Sequence, residues 1–130
     1  MDYCVRMLDA GYVVRLGRSD RIDHYESPRR DFARMDYYGR RNEVLFAWHN
    51  VPNTLLPRYL LAAAINTVRT AIRYGRVQHF LKGLLAGYRD CVRFGDRRAP
   101  VSPETMRIFR RLRDTDDLRL RSVLQQIEEG

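Results

Sequence analysis

Along most of this chain the apolar residues recur every three or four positions, the spacing of one helix face. From Asp2 to Ala10 that spacing puts Cys4, Met7 and Leu8 on one side, and Gly11 supplies a stop. The pattern then changes. Tyr12-Val13-Val14-Arg15-Leu16 and Arg21-Ile22-Asp23-His24-Tyr25 are short and rich in β-branched or aromatic residues, and Gly17 to Asp20 forms a polar turn between them. Two strands are predicted there, although two strands alone make a poor sheet. Helical spacing returns after Ser27-Pro28, a favoured N-cap followed by a favoured first helical residue. Met35, Tyr38, Asn42, Leu45, Phe46 and His49 lie on one side of that helix, Asp36 and Arg40 form an i,i+4 pair, and the helix should end near Asn50, before Pro52. A third helix runs from Pro57 to Tyr74, broken by Gly75, and a fourth from Val77 to Phe94. Gly95 to Pro100 is a basic loop, Ser102-Pro103 starts a fifth helix over 103–113, and a weak sixth covers 118–128.

The fold class expected is therefore mostly α, of α+β type: two short N-terminal strands followed by amphipathic helices. The chain divides into residues 1–54, with the strands and the long helix, and a basic helical tail over 55–130. The first helix begins without a cap or lead-in, as a piece of something longer would.

Composition narrows the function classes. With 130 residues, 45% of them hydrophobic and 11% aromatic, the chain suits one domain that folds without a disulfide or structural metal. Cys4 and Cys91 share no ligand spacing with His24, His49 or His79, and read as reduced thiols of a cytoplasmic protein. The N-terminus is not a signal peptide. The longest apolar run, Tyr59 to Ile65, is far short of the roughly 20 residues a spanning helix needs. Phosphate-loop and dinucleotide glycine patterns are absent. The net charge is +8, from 23 Arg, one Lys and 16 acids, and the middle of the chain carries almost all of the excess.

Two segments could use that charge. His24-Tyr25-Glu26-Ser27-Pro28-Arg29-Arg30-Asp31 joins a strand end to a helix start, where free N–H groups and the helix dipole attract anions. His24 could ligate a divalent metal or donate to phosphate, and Arg29 and Arg30 could neutralise a diphosphate; an ordinary capped helix with solvated arginines is the plainer alternative. The second segment is the pair of helices over 57–94. Arg69, Arg73 and Arg76 form one stripe, beside Tyr59, Leu61, Ile65, Val68 and Ile72. Lys82, Arg89 and Arg93 lie opposite the apolar stripe Phe80, Leu81, Leu84, Leu85, Tyr88 and Val92. Such helices can lie on an anionic membrane surface, or form a plain hairpin with a solvated basic face. Gly83 and Gly87 could permit close helix approach. Nucleic acid is disfavoured, because no recognition motif accompanies the charge.

The order of these segments resembles the C-terminal third of a bacterial family 2 glycosyltransferase of the cell-surface polysaccharide type, with a GT-A fold. Met1-Asp2-Tyr3-Cys4-Val5-Arg6 and Ala10-Gly11-Tyr12 are similar to the later part of the family's Glu-Asp-x-Asp-aromatic region. His24, Ser27, Pro28, Arg30 and Asp31 match its strand-end His and Ser-Pro-x-Arg-Asp, and Arg34 to Asn42 its Arg-Met-Asp-Tyr-Tyr-x-x-Arg-Asn. The likeness covers about residues 1–113. It implies that His24, Ser27, Arg29 and Arg30 contact a metal or diphosphate, and that Asp2 and Arg6 brace the acceptor side. It also implies Mn or Mg in the complete enzyme, a nucleotide-diphosphate sugar as donor, and a glycan or lipid-linked acceptor. The family's catalytic base and Asp-x-Asp motif would precede Met1, so the expected product is a fragment inactive alone, prone to self-association, at the inner face of the cell membrane. The alternative is a stand-alone basic helical module binding a membrane surface or an acidic partner.

Overall fold

A computed structural model of the chain describes residues 2–13 and 29–114. Every regular element among them is helical: α1 (Asp2–Asp9), α2 (Phe32–Asn50), α3 (Leu56–Tyr74), α4 (Val77–Arg93), a short 3-10 turn (Gly95–Arg97) and α5 (Pro103–Asp114). The expected α+β fold, with its N-terminal strands and GT-A fragment, is thereby overturned. Tyr12 and Val13, the start of the first expected strand, follow α1 as irregular chain. The remainder of both strands falls on 14–25, outside the described residues, as does the sixth helix over 118–128.

Local sequence accounts for the helix ends. Gly11 and Gly75 have φ of +82° and +66°, a left-handed backbone that ends α1 and α3 at little steric cost. Ser102 caps α5: its hydroxyl accepts the Thr105 N–H at 3.1 Å, and Pro103 occupies the first turn. The start of α2 differs from expectation. Ser27 and Pro28 lie outside the described residues, and the N-cap is Asp31, whose carboxylate accepts the Arg34 N–H at 2.9 Å.

α2 is the central helix. Two buried clusters flank it: Val5, Ala47, Val51, Val101 and Met106 join it to α1 and α5, and Val44, Ala63, Leu84 and Cys91 join it to α3 and α4. Its fully buried residues are not its largest: Leu45, Phe46 and Trp48 pack against the two clusters only as half-buried margins. Met35 and Tyr38 are about half exposed, whereas Val44, Ala47 and Asn50 are buried. In α1 likewise the buried residue is Val5 and Cys4 is exposed. The reason for the change in α2 is steric. α4 meets α2 through Gly83 and Gly87, where small side chains let the two backbones come close, so size rather than hydrophobicity selects the contact face. A Cβ at Gly83 would collide with the Tyr37 carbonyl, and one at Gly87 would lie 2.7 Å from the Val44 Cβ.

A charged lock sits beside this contact. Arg41 Nε donates to Asp90 Oδ2 at 2.7 Å, and the Asp90 side chain is only 4% exposed. The Arg41 hydrogen bond holds the Asp90 carboxyl below the usual carboxylate range; burial opposes this and Arg89 reinforces it. Next to it burial, with the Asp90 charge, pushes the Cys91 thiol up.

Two outcomes follow for stability. Gly83→Ala gains up to about 1 kcal/mol of helix propensity, but the backbone collision outweighs it at about 1–3 kcal/mol. Urea unfolding should therefore show net destabilisation. Asp90→Ala strands Arg41 and should destabilise by about 3 kcal/mol at pH 7. Because the folded carboxyl titrates below its unfolded value of about 3.9, this stabilisation is fully present above about pH 4. It is lost as pH falls through the lower folded value, so the two proteins should converge in urea midpoint in acid.

Candidate functional site

The α3–α4 hairpin turns at Gly75-Arg76 and is antiparallel: Tyr88 of α4 donates its hydroxyl to the Leu60 carbonyl of α3 at 2.8 Å. One side of each helix is fixed by α2. Asn66 of α3 donates to Glu43 of α2 at 3.4 Å, and Gly83 and Gly87 of α4 abut α2. Ala63, Thr67, Ala71, Leu84 and Cys91 then fill the interior. At about 100° per residue, Leu61, Ile65, Val68 and Ile72 fall on the side of α3 facing away from α2. Leu81, Leu85 and Val92 do the same on α4. Their exposure agrees: Leu61 62%, Ile72 70%, Leu85 67% and Val92 86%. The hairpin thus presents one apolar face built from both helices.

Basic residues border it. Arg58, Arg69 and Arg73 lie along the α3 edge, and Lys82, Arg89 and Arg93 along the α4 edge, all exposed. α3 contains no acid, and the one acid of α4, Asp90, is buried against Arg41. Of the border cations only Arg89 meets a carboxylate of the hairpin, Asp90 at 3.3 Å, and the charge of the others is not offset within the hairpin.

Arg76 does not join that border, contrary to its expected place in the stripe with Arg69 and Arg73. Its Nε lies 3.0 Å from Asp36 Oδ2, and its guanidinium sits 4.9 Å from the Phe32 ring centroid, 5.3 Å from Tyr74 and 5.9 Å from Phe80. It joins the start of α4 to α2. The stripe breaks because Arg76 follows Gly75 and lies at the N-cap of α4, beyond the end of α3.

The expected diphosphate segment fares differently. His24 and Ser27 lie outside the described residues, while Arg29 and Arg30 are exposed chain ahead of α2. Asp2 and Arg6 form a structural joint. Asn50 donates to Asp2, and Arg6 donates to the carbonyls of Ala99 at 3.2 Å and His49 at 3.5 Å. Asp9 extends that joint by accepting the Ser102 N–H at 2.8 Å. Partial burial raises its pKa, but the hydrogen bonds from Ser102 and Thr105 and the nearby Arg6 leave it lowered overall. Among the described residues no group of three or more His, Cys, Asp or Glu could hold a metal. Nor is any helix among them long and apolar enough to cross a membrane.

In comparisons with known proteins, no family model, no curated protein and no solved structure matches this chain.

The basic edge was legible in the sequence as charge at helical spacing. The apolar face was legible only in part. Leu61, Ile65, Val68 and Ile72 follow a 4-3-4 spacing, which fits a buried stripe as well as an exposed one. The different duties of the arginines are measurable. Arg76→Gln should destabilise by about 2 kcal/mol in urea unfolding, from the lost ion pair and aromatic contacts. Arg69→Gln and Arg73→Gln should change stability by no more than about 0.5 kcal/mol.

Proposed function

We propose that this chain docks on an anionic membrane surface through the outer face of its α3–α4 hairpin. We further propose that it does so as the helical part of a nucleotide-sugar-dependent glycosyltransferase of cell-surface polysaccharide synthesis. The observation carrying the docking reading is the apolar face of Leu61, Ile65, Val68, Ile72, Leu81, Leu85 and Val92, with basic residues on both edges and no acid facing it. Apolar side chains enter the headgroup boundary while cations at the edges meet lipid phosphates. Each cation near such a surface contributes about 1 kcal/mol at low screening. Arg89 gives less, since it also contacts Asp90 at 3.3 Å. A second copy of the chain fits this face poorly, because like charges would meet along the edges of any close pairing.

Support for the sugar-transfer reading is the motif resemblance. Its Arg34–Asn42 segment lies on α2, where Asp36 and Arg41 bind Arg76 and Asp90. These residues hold the hairpin against α2, which gives that segment a structural part in displaying the docking face. The docking itself needs no metal.

Vesicle sedimentation tests the docking. The chain should pellet with phosphatidylglycerol vesicles at low salt and be largely released at about 1 M salt, where the screening length falls to about 3 Å. It should not pellet with neutral phosphatidylcholine at high salt. Ile65→Ser with Leu85→Ser should weaken pelleting at every salt, and Arg69→Gln with Arg73→Gln should flatten its salt dependence. Absence of pelleting with anionic vesicles at low salt would refute the docking. Disrupting the gene in its own host tests the transferase part: a lost or shortened surface polysaccharide is expected, and an unchanged one sinks it.

A further inference from the structure

On the other side of α3 from the apolar stripe, α2, α3 and α5 enclose an open cleft of about 680 Å³. That size is in the range of small-molecule sites. Its walls are aromatic and small: Phe46 and Phe109, with ring centroids 5.8 Å apart, together with Tyr59, Ala47, Ala62 and Ala63. Four arginines, Arg40, Arg58, Arg110 and Arg113, line it against one carboxylate, Glu43. Glu43 is already engaged, by Arg40 at 2.8 Å and by the Asn66 amide at 3.4 Å. Arg58 and Arg110 have no carboxylate partner among the described residues. The cleft therefore pairs an apolar body with uncompensated positive charge.

We propose that this cleft binds a small amphipathic organic anion, its apolar ring or chain against Phe46 and Phe109 and its single acidic group held by Arg58 and Arg110. Charge selects the class. A neutral apolar molecule would gain nothing from the two guanidiniums, whereas a carboxylate, sulfonate or phosphate monoester would accept charge-assisted hydrogen bonds from them. A bare inorganic anion would leave the aromatic wall exposed to water. The cleft shares Arg58 with the α3 edge of the docking face, but none of the exposed apolar side chains of that face lines it.

Two fluorescent probes with the same ring system test this without any membrane: anilinonaphthalene sulfonate, an anion, and N-phenylnaphthylamine, which lacks the sulfonate. The anion should bind saturably and more tightly than the neutral probe. Arg58→Gln with Arg110→Gln should weaken the anion about tenfold and leave the neutral probe unchanged, because only the charge-assisted bonds are lost. Ala62→Trp, at an exposed position lining the cleft, should weaken both probes. Ile65→Ser with Leu85→Ser should affect neither. Circular dichroism confirms the fold of each variant, and the double glutamine variant decides the matter if the Trp variant fails to fold. The proposal is overturned if anion affinity is indifferent to Arg58 and Arg110, or if it is lost in the Ile65 and Leu85 variant, which would place the probe on the hairpin face. Failure of vesicle binding would leave these results unchanged.

Discussion

The close approach of α2 and α4 through Gly83 and Gly87 is the constraint from which the remaining architecture follows. With no side chain at those two positions, Tyr37 and Val44 of α2 rest almost directly on the α4 backbone. Helices that meet so closely need a polar partner for whatever charge the contact encloses, and Arg41 with Asp90 supplies it. An isolated buried carboxylate would be expelled or neutralised. Paired, it fixes the rotation of α4 about its own axis, because only one rotation brings Asp90 to Arg41 while presenting both glycines to α2. That rotation is what turns Leu81, Leu85 and Val92 outward.

The same economy of size governs α3. Ala63, Thr67 and Ala71 are its fully buried residues; Leu56, Tyr59 and Leu60 are half-buried against the core, and Leu61, Ile65, Val68 and Ile72 are exposed. Over 61–72, small side chains inside and large ones outside invert the usual arrangement of a surface helix. A contiguous exposed apolar patch marks an interaction surface more often than it marks chance. The proposed docking on that surface rests on its cationic border, in which only Arg89 meets a carboxylate of the hairpin. Elsewhere around α3, Phe46 of α2 and Phe109 of α5 line a cleft that the small residues Ala62 and Ala63 do not fill.

The arginines of this chain show how one residue type divides its work. Arg41 and Arg76 are structural, bound to Asp90 and Asp36, and the second is also enclosed by aromatic rings. Arg98 stacks 5.3 Å from Trp48 and donates to the Val51 carbonyl at 2.8 Å, tying the loop before α5 to the end of α2. Arg69, Arg73 and Arg93 remain on the surface, where their charge is available to a partner. Net charge alone does not distinguish these groups, because each contributes +1 whichever role it plays.

What the sequence by itself determined is local. Gly11, Gly75 and Ser102-Pro103 mark helix ends through backbone conformation and capping, which depend on a few neighbouring residues. The apolar spacing after residue 30 sufficed to locate α2 to α5, with ends shifted by a few residues. The strands expected from Val and Tyr content rested on a weaker preference, one that measures fit to a neighbouring strand more than to the backbone itself. Only the tertiary structure decided which face of each helix is inside. Periodicity gives a stripe but not its partner, and in α2 and α3 the fully buried positions went to small side chains while larger ones pack at the margins or lie outside. For the same reason the roles of Asp2, Arg6 and Arg76 as joints were hidden. Their partners lie up to 93 positions away along the chain, and a long-range hydrogen bond leaves no trace in local spacing.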